Sequence, residues 1–111
     1  NVFLLKEGGQ IVKLLRGEVR PFAIRYAPDG ILATATKLYK NLEGNIYFLD
    51  PPNARVVVVT EGGASGESNY VRQYVLEGEQ VGELKDLWID EDETQLYVLD
   101  EKRVYRIDLV K

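Results

Sequence analysis

The sequence predicts an all-β chain made of β-propeller blades, about two and a half four-stranded antiparallel blades that this chain alone does not close. Three observations carry that expectation. Residues 44–59 return in shortened form at residues 94–107, with Tyr47, Leu49 and Asp50 falling on Tyr97, Leu99 and Asp100, and Arg55 on Arg103 once two turn residues are dropped. Each copy is an apolar run rich in β-branched and aromatic residues, a polar turn and a second apolar run, which reads as strand, turn and strand. The runs are nearly continuous, as in Val56–Val59, so these strands are expected to bury both faces. A hairpin covered on both sides needs a sheet above and a sheet below. A repeat spacing of about 50 residues falls in the range of propeller blades.

The N-terminal residues read as two strands, Val2–Lys6 and Gln10–Leu15, joined at Glu7-Gly8-Gly9, where glycine allows the positive φ of a tight hairpin turn. Pro21–Tyr26 reads as a strand with Phe22, Ile24 and Tyr26 on one face, stopped at Pro28-Asp29-Gly30. Its expected counterpart is Leu84–Asp90, with Ile24 set on Leu87 and Tyr26 on Ile89. That register makes residues 31–43 an insertion, either an extra strand or a helical turn. After the central hairpin, 61–67 is a small-residue loop, Asn69–Leu76 a strand and Glu77–Glu83 a polar connector. Leu84–Asp90 then opens the last unit, which the second hairpin completes. The expected division is 1–20 as the last two strands of one blade, 21–77 as a full blade with the insertion, and 84–111 as the first three strands of another.

Composition narrows the function. Hydrophobic residues at 45% and charged residues at 29% are those of an ordinary globular domain. With 14 basic against 18 acidic residues and a net charge of −4, the chain lacks the electrostatic footprint for nucleic acid or an anionic membrane surface. Neither partner is expected, and no apolar run is long enough for membrane insertion. The absence of cysteine and histidine removes thiolates, the commonest metal ligand and the commonest general base. No catalytic residue, cofactor or metal is assigned. The chain starts at Asn1 and contains no methionine, from which a processing boundary is expected there.

The candidate residues each have two readings. Asp50 and Asp100 occupy equivalent turns, where paired carboxylates raise acid–base or metal chemistry, but recurrence in each copy favours capping of the hairpin turn. Asn53, Arg55 and Arg103 are read as repeat structure, the arginines in ion pairs or stacking. Asp90-Glu91-Asp92-Glu93 lacks the alternating ligands and glycine of a calcium loop and is read as a solvated turn. Trp88 and the seven tyrosines raise a carbohydrate or peptide platform, but Tyr26, Tyr47 and Tyr97 fall in repeat strands, where large flat rings pack between blades, and core is the favoured reading. Tyr39 and Tyr70 lie outside the repeated hairpins and are the expected interaction surface. They are joined by Lys85 and Asp86, the polar residues of the candidate inner strands 22–24 and 85–87. Gly62–Gly66 lacks the Gly-Lys-Ser/Thr ending of a phosphate loop and is read as a linker.

Gly44–Asp50 followed by Asn53-Ala54-Arg55-Val56-Val57 resembles the NHL-type β-propeller repeat, in which a strand ends in Asp and Asn-x-Arg-Val opens the next. Pro21–Ile24 with Pro28-Asp29-Gly30 resembles the first strand and turn of that repeat. The second copy departs from it in having Glu101-Lys102 at the turn and no Asn before Arg103. A narrower similarity is to propeller domains at the C-termini of bacterial membrane-associated proteins that carry a phosphatase-like domain upstream. The whole is read as a non-enzymatic protein-protein interaction or assembly module, with its energetics in blade stacking and its binding in loops such as 31–43 and 61–69. Its expected partners are further blades in cis or identical copies in trans, together with a protein ligand. Two alternatives stand beside it: a ligand-sensing or catalytic propeller whose site is completed by missing blades, and a surface or filament subunit that assembles head to tail.

Overall fold

A computed structural model of the chain describes all residues except 1, 7, 9, 21, 22, 29, 42, 43, 62–66, 79, 80, 110 and 111. The described residues form eleven strands and no α-helix. The strands are β1 (Val2–Leu5), β2 (Ile11–Leu15), β3 (Glu18–Arg20), β4 (Ala23–Arg25), β5 (Lys37–Lys40), β6 (Ile46–Asp50), β7 (Arg55–Val59), β8 (Glu67–Val75), β9 (Asp86–Ile89), β10 (Gln95–Leu99) and β11 (Val104–Asp108). No helix of the described residues is long and apolar enough to cross a membrane.

Three sheets result, ordered β1-β2-β3, β4-β8-β7-β6-β5 and β11-β10-β9. The middle sheet has no solvent side through its centre: every residue of β6 is buried, as are four of the five in β7. One face of it, Tyr47, Leu49, Val56 and Val58, packs against Leu87, Ile89, Leu96 and Val98 of the third sheet. The other face, Ile46, Phe48, Val57 and Val59, packs against Phe3, Leu5 and Ile11 of the first sheet and Ile31, Leu32 and Ala35 of the turn that precedes β5. Fully burying a side chain of this size is worth about 1.5–3 kcal/mol. The continuous apolar runs of β6 and β7 therefore need two covering layers, and the rest of the chain supplies them.

The repeat is structural as well as sequential. Leu49 pairs with Val56 across β6 and β7, and Leu99 with Val104 across β10 and β11. The N-terminal hairpin has the same pattern, with Leu5 opposite Ile11. Residues 2–20 thus give three strands where two are expected. The third, β3, forms because Arg16 and Gly17 both take positive φ, 52° and 80°, and turn the chain straight back.

The equivalence of residues 21–26 with residues 84–90 does not hold in the structure. β5 pairs with β6 as β9 pairs with β10, placing Tyr39 opposite Tyr47 and Trp88 opposite Tyr97. β4 lies at the far edge of the middle sheet, parallel to the start of β8. Between residues 31 and 41 the structure holds a turn over 31–34 and then β5, the extra strand that is one of the two alternatives expected there, in the place beside β6 that β9 takes beside β10. Of the expected turns, Glu7, Gly9 and Asp29 lie outside the described residues, as does most of the 61–67 loop.

Strands β5 and β9, which belong to different sheets, come within 8 Å of one another at several Cα positions. Face-packed sheets stand about 10 Å apart, so the middle and third sheets lie close together along these two strands. Lys37 and Asp86 face each other across that edge, 3.9 Å apart.

A polar latch fixes the spacing of the same two sheets. Glu93, at φ 53°, accepts the Asn45 N–H at 2.9 Å and the Tyr47 hydroxyl at 3.2 Å. Asn41 donates to the Asp90 carbonyl at 2.7 Å. Gly44, at φ 123°, makes room for the latch, because a Cβ there would overlap the Glu93 carboxylate. Gly44→Ala is expected to destabilise the fold by about 1–3 kcal/mol, which lowers Tm by at least about 4 °C in thermal denaturation. Removing the Glu93 carboxylate with Glu93→Ala should recover only part of that loss, since the backbone strain at position 44 remains.

Candidate interaction surface and its polar anchors

Asp50 closes β6 with its carboxylate fully buried. Its Oδ1 accepts from the Thr34 hydroxyl at 2.5 Å, and its Oδ2 accepts from Asn53 Nδ2 at 2.9 Å and Arg55 Nε at 2.6 Å. The Arg55 guanidinium continues to Gln73 Oε1 at 3.0 Å and to the Ile31 carbonyl at 3.2 Å. Local geometry explains how the three residues meet. Pro51–Asn53 form a 3₁₀ turn, and Ala54 at φ 48° ends it by donating its N–H to the Pro51 carbonyl. Arg55 thereby falls directly opposite Asp50. The side chain of Asp50 makes no cap to this turn; its bonds go to other side chains. Burial works to raise the Asp50 carboxyl, but the hydrogen bonds from Thr34, Asn53 and Arg55 outweigh it and hold the group below the usual carboxylate range.

Asp100 does its work differently. Its Oδ1 accepts the backbone N–H groups of Lys102 and Arg103 at 2.8 and 2.7 Å. Its Oδ2 accepts the Tyr105 hydroxyl at 2.7 Å and the Gly82 N–H at 3.0 Å, tying the connector before β9 to the last hairpin. The Tyr105 hydroxyl first, then the Gly82 and Lys102 N–H groups, hold the Asp100 carboxyl well below its ordinary value. The acidic run at 90–93 is likewise occupied. Asp90 accepts the Thr94 and Gln95 N–H groups at 2.7 and 3.0 Å, and Glu93 serves the latch. Among the described residues no acidic cluster has the geometry to hold a metal ion.

The structure places the expected surface residues unevenly. Tyr39 and Tyr70 are half-buried and pack against the two cores, because both lie in strands of the doubly covered middle sheet. Lys85 and Asp86 are exposed; Lys85 pairs with Glu83 at 3.1 Å, and Asp86 faces Lys37. The rings expected between layers divide as well. Tyr47 is buried and Tyr97 partly buried, whereas Trp88 is 47% exposed and Tyr26, in a left-handed conformation at φ 64°, projects into solvent.

Trp88 belongs to an exposed aromatic surface, against the favoured reading that placed it in the core. On the outer face of the third sheet, Trp88 sits against Tyr97 with ring centroids 5.3 Å apart. Leu99 and Val104 continue the face, Val104 at 63% exposure, and Arg106 pairs beside Tyr97. The signal lay in the repeat: through the strand registers, Trp88, Tyr97, Leu99, Val104 and Arg106 correspond to Tyr39, Tyr47, Leu49, Val56 and Val58. A separate open cavity of about 320 Å³ lies between the first hairpin, at Leu5, Lys6 and Gly8, and the turn at 33–36.

No family model matches this chain, and no curated protein or solved structure matches it.

Arg55→Ala leaves the Asp50 carboxylate buried without its cation, which costs about 3–5 kcal/mol; urea denaturation should show the midpoint falling with an unchanged slope. Asp100 is expected to set part of the acid limb of stability. Its carboxyl is depressed in the folded state, so its contribution is present above the unfolded value of about 3.9 and is lost as pH falls through the lower folded value. Thermal melts of the chain and Asp100→Asn should differ by a constant amount from pH 7 down to about pH 5, begin to approach one another below about pH 4 and meet only as pH falls through the lower folded value. A gap that persists unchanged into acid would remove the charge as its cause.

Proposed function

We propose that the chain is a non-enzymatic protein-protein interaction or assembly module of the β-propeller type, in which the three sheets are successive blades that bind through their flat faces. One observation carries this reading. The exposed outer face of the third sheet repeats, position for position, the face of the middle sheet that the third sheet itself covers. A contiguous apolar face rimmed by polar residues, here Asp86, Arg106 and Asp108, is the usual mark of a protein contact. The close approach of the middle and third sheets along β5 and β9 supports a radial rather than parallel stack. The resemblance of 44–57 to the NHL-type repeat supports the same reading.

The polar anchors support the same reading. Asp50, Arg55, Asp100 and Glu93 are each consumed in holding turns and sheets in place. What the outer face of the third sheet offers is chiefly shape and apolar area, rimmed by Asp86, Arg106 and Asp108. That chemistry recognises another protein surface better than it handles a small polar substrate.

A tandem fusion of two copies of the chain tests this. In it the third sheet of the first copy is followed in sequence by the first sheet of the second, as the next blade of a stack would be. With Trp88→Phe in the second copy, a single tryptophan reports on the face. Its emission should shift to shorter wavelength and its quenching by acrylamide should fall several-fold relative to the single chain. Unchanged emission in a folded fusion would overturn the stacked-blade reading.

A further inference from the structure

Among the described residues two sheet faces are uncovered, and they are of opposite kind. The first is the Trp88, Tyr97, Leu99 and Val104 face of the third sheet. The second is the outer face of the first sheet, where Leu4 is 48% and Val19 73% exposed and where cross-strand pairing sets Leu4 beside Val12 and Leu14 beside Val19. Cross-strand partners share a face, so these four residues form one apolar surface.

The strand registers define what each face does elsewhere in the chain. Leu5 opposite Ile11 matches Leu49 opposite Val56 and Leu99 opposite Val104. Leu4 therefore corresponds to Phe48 and Val98, and Leu14 to Val59 and Ile107. Phe48 and Val59 pack the middle sheet onto the first; Val98 and Ile107 pack the third sheet onto the middle one. Leu4 and Leu14 thus belong to the face that docks on a preceding sheet. Trp88, Tyr97, Leu99 and Val104 belong to the face that receives a following one. The same junction occurs twice within the chain, and one unmatched half of it is left at each end.

We infer that the receiving face of the third sheet binds the docking face of the first sheet of a second copy of this chain, head to tail. The inference rests on the stacked-blade reading and adds the identity of the partner. The chain itself carries the complement, which is why the second copy is the occupant the observations favour. Unlike faces meet, so the contact is heterologous, and repetition of it closes a ring or extends a filament. Like-face pairing would set two receiving faces together, a junction that neither internal interface uses.

The chain contains no cysteine, so single thiols can be placed without background. Val19→Cys and Val104→Cys put one on each open face, at exposed positions where substitution costs little. A short bis-maleimide reagent added to an equimolar mixture should give the mixed Val19→Cys with Val104→Cys product at least about ten-fold over either homodimer, the ratio that about 1.4 kcal/mol of preference produces. Leu99→Lys in the Val104→Cys chain should abolish that product while leaving the thermal melt unchanged. A Val104→Cys homodimer in equal or greater yield would overturn the inference by showing that like faces pair. A chain that stays monomeric in sedimentation up to millimolar concentration and gives no cross-link would also overturn it. In that case a shielded Trp88 in the tandem fusion would still leave the stacked-blade reading standing, and an unshielded one would remove both.

Discussion

The structure depends on one constraint: β6 and β7 have no solvent side. Their residues alternate between two apolar faces rather than between an apolar and a polar one, so a single covering layer would leave either Tyr47, Leu49, Val56 and Val58 or Ile46, Phe48, Val57 and Val59 in water. The hairpins before and after are placed where they are by that demand. Each covering sheet has one face committed to the middle sheet and one exposed to solvent.

Polar groups set the order and spacing within this apolar frame. Asp50 gathers Thr34, Asn53 and Arg55 at the end of β6, fixing the turn over 31–36 against the hairpin. Glu93 and Asn41 join the middle sheet to the third. An unpaired buried carboxylate is costly, so these contacts contribute specificity of position that the flat valine and leucine surfaces lack. Burial, with Glu93 next to it, pushes the Tyr47 hydroxyl up, keeping it protonated and able to donate.

The hairpins, their register and the burial of Val56–Val59 were legible because each is written in consecutive residues. β5 was legible only as one of two alternatives, since Lys37-Leu38-Tyr39-Lys40 has only two apolar residues and resembles a surface segment until β6 is placed beside it. β4 misled for the opposite reason: Ile24 and Tyr26 alternate as Leu87 and Ile89 do, but its parallel pairing with β8 is decided by tertiary contacts that no local pattern encodes. The equivalence of Asp50 and Asp100 suggested one role for both. The second turn is two residues shorter and has no counterpart of Asn53, so Asp100 meets backbone donors where Asp50 meets side chains. For Trp88 the core was favoured over a surface platform because tyrosines of the repeat strands pack between layers. Its exposure follows from what lies above it, and that is absent from any window of sequence around residue 88.

The placement of β7 has a consequence for misfolding. Val56–Val59 is the segment of the chain best suited to cross-β assembly, being uncharged, β-branched throughout and free of proline and glycine. It lies between β6 and β8, and β8 is itself flanked by β4 along its first residues. An approaching strand finds no unpaired backbone on β7. Fraying of β4 or β5 would open only the margins of the sheet, so the valine segment becomes available for templating only when a whole neighbouring strand detaches. Burying the most hazardous sequence in the strand furthest from either margin lets the chain carry two sticky faces without also offering a sticky edge.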